Sequence, residues 1–337
     1  MSVTVSMRLA RVAALLAGSA ALAFAVSPAP ALAQDMTLVL GTQESGTAQW
    51  EVETVKRLGL DKKHGLDLEL RPLADSRAGQ IALQTGAVDV ILSDFVWVSI
   101  QRNQGNMITI VPHSLAVGGL MAHPGSGIDS VDDLAGKTIA IAGGPVDKSW
   151  VVLQAYYAKE TGGKLVDAVE ARYGAPPLVN ELLGKGEADA ALNFWQWNAR
   201  AKVAGDTEVI SVKQMLADLG VEGEAPLLGW AFTDATAEAK PEALRAYLDA
   251  SFEAKQVLLT DDSAWEPLKE LMGAADNPAL FEMLRNDYRA GIVTSYDPSS
   301  MAAAEASFAL MAEYGGAELV GEVPTLAEGT FWNGYSR

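Results

Sequence analysis

One pattern occurs twice in this sequence, one hundred residues apart. Leu83-x-x-Gly86-x-x-Asp89 leads into Val90-Ile91-Leu92-Ser93-Asp94-Phe95-Val96-Trp97, and Leu183-x-x-Gly186-x-x-Asp189 leads into Ala190-Ala191-Leu192-Asn193-Phe194-Trp195-Gln196-Trp197. Each copy reads as a helix end, a glycine stop, a short buried strand and a polar, aromatic tip. A second echo lies upstream. Thr37-Leu38-Val39-Leu40 runs into a loop from Gly41 to Gly46 and a helix carrying Trp50, while Thr138-Ile139-Ala140-Ile141 runs into Gly143-Gly144 and a helix carrying Trp150. Two α/β units with matching loops predict two similar lobes facing each other. That is an architecture for closing on a small molecule.

The first 33 residues read as a targeting segment. Arg8 and Arg11 precede an apolar run over 12–26 that is short for a bilayer span, and Ala31-Leu32-Ala33 fits the small-x-small cleavage rule, so the mature chain is expected to start at Gln34. The chain has no cysteine. Disulfides, thiol chemistry, cysteine metal sites and an N-terminal lipidated cysteine are therefore excluded. An exported, unanchored chain of this kind is expected in a periplasm. Removing the leader changes the net charge from −18 to about −20. That sign opposes nucleic-acid binding and favours solubility.

Short apolar runs alternate with helix-length segments throughout, which favours βαβ units. Strands are predicted at 36–40, 66–71, 88–92, 107–111 and 115–122, with helices at 47–60, 76–84 and 94–103. A second set follows, with strands at 138–142, 166–171, 189–193 and 207–212 and helices at 146–159 and 176–183. Ser130-Val131-Asp132-Asp133 reads as a capped turn. A return strand is predicted at 227–232, and beyond it the chain is mostly helical, over 241–259, 264–272, 278–290 and 298–314. The expected fold class is α/β. Lobe 1 is placed at 35–122 plus 228–337 and lobe 2 at 123–227, with two strands crossing between them as a hinge.

Several segments stand in a familiar order. They are Gly65-Leu66-Asp67-Leu68-Glu69-Leu70, Gly86-Ala87-Val88-Asp89, Ser130-Val131-Asp132-Asp133-Leu134-Ala135-Gly136-Lys137-Thr138-Ile139-Ala140 and Gly186-Glu187-Ala188-Asp189-Ala190. Together they resemble the periplasmic solute-binding proteins of nitrate/sulfonate/taurine-type ABC importers, over essentially the whole mature chain. The resemblance implies a two-lobed type II periplasmic binding protein fold. It also implies capture of a small molecule between the lobes and delivery to a membrane permease with its ATPase. A monomer is the default for such a subunit. The family includes relatives that bind pyrimidine precursors or flavin, and some that became enzymes. The tip Asn193-Phe194-Trp195-Gln196-Trp197 departs from the acidic-proline ending of the family pattern.

Ligands of open α/β sheets sit beyond the carboxyl ends of the strands. Four loops are therefore candidates: Gln43, Glu44, Ser45 and Thr47; Ser93, Asp94 and Phe95; Gly143, Gly144 and Lys148; and Asn193, Phe194 and Trp195. Glycine loops that open helices offer free N–H groups to an anion. Phe95, Phe194 and Trp195 are candidates for stacking, whereas Trp97, Trp150 and Trp197 are expected to pack in the core. Glu44, Asp94 and Asp147 either cap helices or hold a cation. Arg77 is a candidate carboxylate or sulfonate fork, or a surface residue at a helix start. Gly136-Lys137-Thr138 is not a P-loop, because Val131 occupies the position of the first glycine and a strand follows.

Two function classes follow. A non-catalytic binder is favoured, with no cofactor, for a small organic anion, a planar heterocycle or, third, a cation or metal complex. The alternative is an enzyme on the same fold acting on a pyrimidine-like substrate. Neither G-x-S-x-G nor H-E-x-x-H is present, and His64, His113 and His123 fall in predicted connecting segments.

Overall fold

The computed structural model describes residues 36–43, 46–299 and 301–337. The expected signal segment and Glu44 and Ser45 lie outside the described residues. The chain runs β1 (Thr37–Gln43), α1 (Ala48–Arg57), α2 (Leu60–Lys63), β2 (Asp67–Leu73), α3 (Ser76–Gln84), β3 (Val90–Asp94), α4 (Phe95–Asn103) and β4 (Ile108–Ser114). It continues with β5 (Gly119–Ala122), a 3-10 turn (Val131–Leu134), β6 (Thr138–Ala142), α5 (Lys148–Thr161), α6 (Leu165–Ala168), β7 (Glu170–Gly174), α7 (Pro176–Gly184), β8 (Ala190–Asn193), α8 (Trp195–Ala204), β9 (Thr207–Ser211) and α9 (Val212–Asp218). The last part holds β10 (Leu228–Thr233), α10 (Asp234–Ala239), α11 (Pro241–Thr260), a 3-10 turn (Asp262–Leu268), α12 (Pro278–Ala290) and α13 (Ala302–Val320).

Two five-stranded sheets share one plan. The first has the order β2-β1-β3-β10-β4 and the second β7-β6-β8-β5-β9. In each, three parallel strands are followed by one antiparallel strand that has arrived from the other half of the chain. The crossings occur at 115–118 and 212–227, just ahead of β5 and β10. Two details differ from the expected lobe boundaries. Residues 119–122 belong to the second sheet, beside β8 and β9. The helix α13 packs on α5 as well as α4, so the C-terminal part is not confined to the first lobe. The predicted strand at 115–122 is cut short because 115–118 is the crossing itself. The predicted helix at 264–272 is a 3-10 turn containing Pro267, whose missing N–H and ring bulk oppose a regular helix.

The repeat that dominates the sequence is a structural device. Gly86 and Gly186 end α3 and α7 with φ of 70° and 67°. Three residues later Asp89 Oδ2 accepts from Val39 N and Asp189 Oδ2 accepts from Thr138 N, both at 2.8 Å. Each carboxylate thus ties its strand to the first parallel strand of its own sheet. Asp89 also accepts from Lys240 Nζ at 2.9 Å. Asp89→Ala is expected to cost about 2–3 kcal/mol, and Asp189→Ala about 1–2 kcal/mol, since only the first strands an ammonium as well. Urea unfolding of both variants tests this, and equal losses would refute the ordering. Ser130 caps its 3-10 turn as read, with Asp133 Oδ2 accepting from Ser130 N at 3.0 Å.

Candidate functional site

The repeat also sets how the lobes meet. Helix α1 of the first lobe faces α8 of the second, and α4 faces α5. These pairs are equivalent under the internal repeat, but their chemistry differs. Between α1 and α8, the Trp50 and Trp195 rings meet edge-on at 5.8 Å and 86°. Tyr288 lies 5.5 Å from Trp50 and 6.1 Å from Trp195. Between α4 and α5, Lys148 Nζ reaches Asp94 Oδ2 at 3.3 Å. One end of the cleft is therefore aromatic and the other ionic.

The helix starts differ in the same way. Asp94 Oδ1 accepts from Trp97 N at 2.8 Å and caps α4. Asp147 Oδ1 accepts from Ser149 N at 2.9 Å and from Trp150 N at 3.3 Å, and caps α5. Burial pushes the Asp147 carboxyl up, opposed by Lys148 and those two N–H groups. The capping reading of both aspartates is the one the structure supports. By contrast, Thr47 and Phe194, at the starts of α1 and α8, make no side-chain cap. Gln49 N already donates to Gly46 O and Trp50 N to Thr47 O at the start of α1, and Trp197 N donates to Phe194 O at the start of α8. These two starts therefore offer the positive end of the helix dipole with the N–H of Ala48 and those of Trp195 and Gln196.

A narrow pocket with about 40 Å3 of enclosed space opens to solvent at the carboxyl ends of β1 and β3, under the start of α1. Thr42, Gln43, Thr47 and Gln49 give it polar groups, and Val52, Leu73, Ile91, Leu92 and Trp230 give it apolar walls. No charged side chain lines it among the described residues. Gln43 Nε2 donates to Ser76 Oγ at 2.9 Å and Gln49 Nε2 donates to Gln43 O at 2.5 Å, which fixes the rim.

The candidate residues sort clearly. Gln43 and Thr47 line this pocket. Asp94 and Lys148 form the ionic contact, with Gly143 and Gly144 in the loop that leads to it. Ser93 is buried in β3. Trp195 lies in the aromatic contact, and Phe194 beside it is 37% exposed. Phe95 is not a stacking residue: it is wholly buried, with Phe331 at 5.9 Å and Phe308 at 6.5 Å. Asn193 is also structural, because Nδ2 donates to Pro176 O and Asn180 Oδ1 while Oδ1 accepts from Phe194 N. Arg77 is exposed on the first turn of α3 and does not line the pocket. Trp150 packs in the core as expected.

Sequence reasoning missed Trp230 and what lies behind it. Trp230 Nε1 donates to Ser251 Oγ at 3.2 Å, and Ser251 Oγ donates to Glu51 Oε1 at 2.5 Å. Lys255 Nζ donates to Ser251 Oγ at 3.0 Å and stands 3.4 Å from Glu51 Oε2. His113 Nδ1 is also 3.4 Å from Glu51 Oε2. His113 lies on β4 rather than in a connecting segment. All of these groups are buried. Burial raises the Glu51 carboxyl and lowers Lys255 and His113. One signal was available: a glutamate at position 51 between Trp50 and Val52, on the face of α1 that must be buried.

Several solved structures share this fold. The alkanesulfonate-binding protein SsuA from Xanthomonas axonopodis pv. citri, bound to MOPS, aligns over 89% of this chain and 99% of its own, at 16% identity and a TM-score of 0.68. The periplasmic aliphatic sulphonate binding protein SsuA from Escherichia coli aligns over 88% and 92%, at 15% identity and 0.70. The desulfurization enzyme DSZB aligns over 87% and 97%, at 14% identity and 0.59. No curated protein matches the chain by sequence. The NMT1/THI5-like family model matches residues 55–263, well over half of the sequence. On that match, the chain belongs to the NMT1/THI5-like family.

Proposed function

We propose that the protein is the extracytoplasmic solute-binding subunit of an ABC importer, which captures a small organic anion between its lobes and presents it to a permease. The observation that carries this is the pocket at the carboxyl ends of β1 and β3, roofed by a helix start without a side-chain cap and lined by no charged side chain among the described residues. An anionic head would take the Ala48 N–H and the positive end of the α1 dipole, and an apolar body would lie against Val52, Ile91 and Trp230. Micromolar capture needs about 8 kcal/mol, within reach of a few hydrogen bonds and one apolar body. A cation at this pocket is disfavoured, since Asp94 and Asp147 are engaged as caps and Asp94 also meets Lys148.

A planar heterocycle is the second reading, favoured by the Trp230 ring in the pocket wall. Catalysis is not part of the proposal even though an enzyme shares the fold. The pocket offers hydroxyls and amides but no acid–base pair among the described residues. The expected setting is a periplasm, after removal of residues 1–33, with a permease and its ATPase as partners and the protein a monomer. No helix among the described residues is long and apolar enough to cross a membrane.

A thermal-shift screen against sulfonates, carboxylates, pyrimidines, flavins, amines and metal ions tests the reading. A ligand at one hundred times its Kd adds about 2.7 kcal/mol of stability. Thr47→Asp separates the two readings by placing a carboxylate at the start of α1. Anion affinity is expected to fall at least tenfold, with heterocycle affinity little changed. An anion whose binding ignores that substitution would show that α1 is not its seat.

A further inference from the structure

Strand β4 is the outer strand of the first sheet, and the C-terminal tail covers it. Phe331 bridges to Ile110, Ile110 N donates to Thr330 O at 2.9 Å, and Trp332 N donates to Ile110 O at 3.0 Å. The tail thereby satisfies backbone groups that an open edge would offer to another chain. Trp332 also meets Phe232 edge-on at 5.1 Å. A few residues later the tail is tied down again. Tyr335 Oη donates to Asp249 Oδ1 at 2.9 Å, and Arg337 exchanges two backbone hydrogen bonds with Tyr296, both at 2.8 Å.

Between these two anchors the chain turns at Asn333-Gly334. A Cβ on Gly334 would stand 2.4 Å from Trp332 Cζ2, so the close approach of the indole demands glycine. Glycine is also the residue whose amide nitrogen is least shielded by a side chain. Asn333 is exposed. Gly334 O accepts from Arg245 Nε at 3.2 Å, but among the described residues neither the Asn333 side chain nor the Gly334 N–H has a hydrogen-bond partner. The other exposed asparagines among the described residues are held differently. Asn277 precedes Pro278, which has no N–H. Asn103 precedes Gln104, whose N donates to Ile100 O, and Asn286 lies inside α12. Asn106 Nδ2 donates to Gln101 Oε1 at 2.9 Å.

We propose that Asn333-Gly334 is a self-modifying site that loosens the C-terminal tail as the protein ages. The Gly334 nitrogen gives up its proton to base and attacks Asn333 Cγ. The Cγ–Nδ2 bond breaks, ammonia leaves, and a succinimide ring joins the two residues. Water then opens the ring at either carbonyl. Cleavage of the new N–Cγ bond leaves an aspartate at this position. Cleavage of the original peptide bond leaves an isoaspartate, whose main chain runs through Cβ and Cγ and is one atom longer. One water is consumed and one ammonia released, and no oxidant or cofactor is required. The longer link falls between Trp332, held on β4, and Tyr335, held on Asp249. It cannot be accommodated without loosening one of these anchors, and the edge of β4 is then uncovered.

Incubation of the purified protein and of Asn333→Gln at mildly alkaline pH, followed by peptide mass mapping and urea unfolding, decides the matter. Glutamine would have to close a larger ring and reacts far more slowly. The expected result is amide-to-acid conversion at position 333 at least tenfold faster than at Asn103, Asn106, Asn277 or Asn286, with the isoaspartate isomer among the products. The urea midpoint of the wild type should fall as conversion proceeds, while that of Asn333→Gln holds over the same period. Conversion no faster at position 333 than at the other four, or a wild-type midpoint that stays unchanged once conversion is complete, would each overturn the proposal.

Discussion

Lys255→Met is expected to destabilise the protein by about 3–5 kcal/mol at neutral pH. The reason is the glutamate it leaves behind. Glu51 is buried, and Lys255 supplies the largest force acting against its desolvation. Without that ammonium the carboxyl must either stay charged in an apolar surrounding or take up a proton at neutral pH. Both are unfavourable. The double variant Glu51→Gln/Lys255→Met should recover most of the loss, because it removes both charges and keeps an acceptor for Ser251 Oγ. The pH profile gives an independent readout. A carboxyl whose folded pKa is raised keeps its stability below its unfolded value and loses it as pH rises through the folded one. The Lys255→Met deficit should therefore shrink as pH falls toward the ordinary glutamate value and be largest above neutrality. Urea unfolding across pH measures it. If the single and double variants lose the same stability, the groups are not coupled.

The cluster was hidden in the sequence for a physical reason. Glu51, His113, Trp230 and Lys255 come from α1, β4, β10 and α11, and only the folded first sheet brings them together. No local spacing announces a buried pair of that kind. The repeat was legible because it is local. A glycine at positive φ, then an aspartate three residues on, fixes a helix end and a strand start within one short segment. The four loops at the strand ends were legible by the same logic, since strand direction alone places them. Which side chains at those tips face the cleft was not. Phe95 and Trp195 occupy equivalent positions, each opening a helix after the repeated strand. Phe95 meets Phe308 and Phe331 from the distant C-terminal part and is sealed, whereas Trp195 meets Trp50 across the lobes. Membership of β5 in the second sheet was likewise unreadable, because pairing depends on where the chain goes after 115–118.

Gly118→Val is expected to cost about 3–5 kcal/mol, among the largest single losses short of removing a buried charge. A Cβ on Gly118 would stand 1.7 Å from Asn193 O and 2.9 Å from Phe194 Cα, both backbone atoms. Gly119 is held as closely, with Ile210 O at 2.6 Å. The crossing segment is thus threaded between the ends of β8 and β9, and no rotamer change relieves the clash. Relief requires parting β5 from β8, where Gly119 stands opposite Asn193. That pair of strands carries Phe194 and Trp195 into the lobe contact, so the strain falls on the geometry that closes the cleft. Gly144→Ala serves as the control, because nothing lies within 4 Å of its added methyl. It is expected to shift stability by no more than about 0.5 kcal/mol. Comparing urea midpoints for the two variants tests how tightly the crossing is built. A tolerated valine at position 118 would mean that the sheets can separate at little cost, and the two-sheet closure would then lack the stiff pivot that the close approach of these backbones implies.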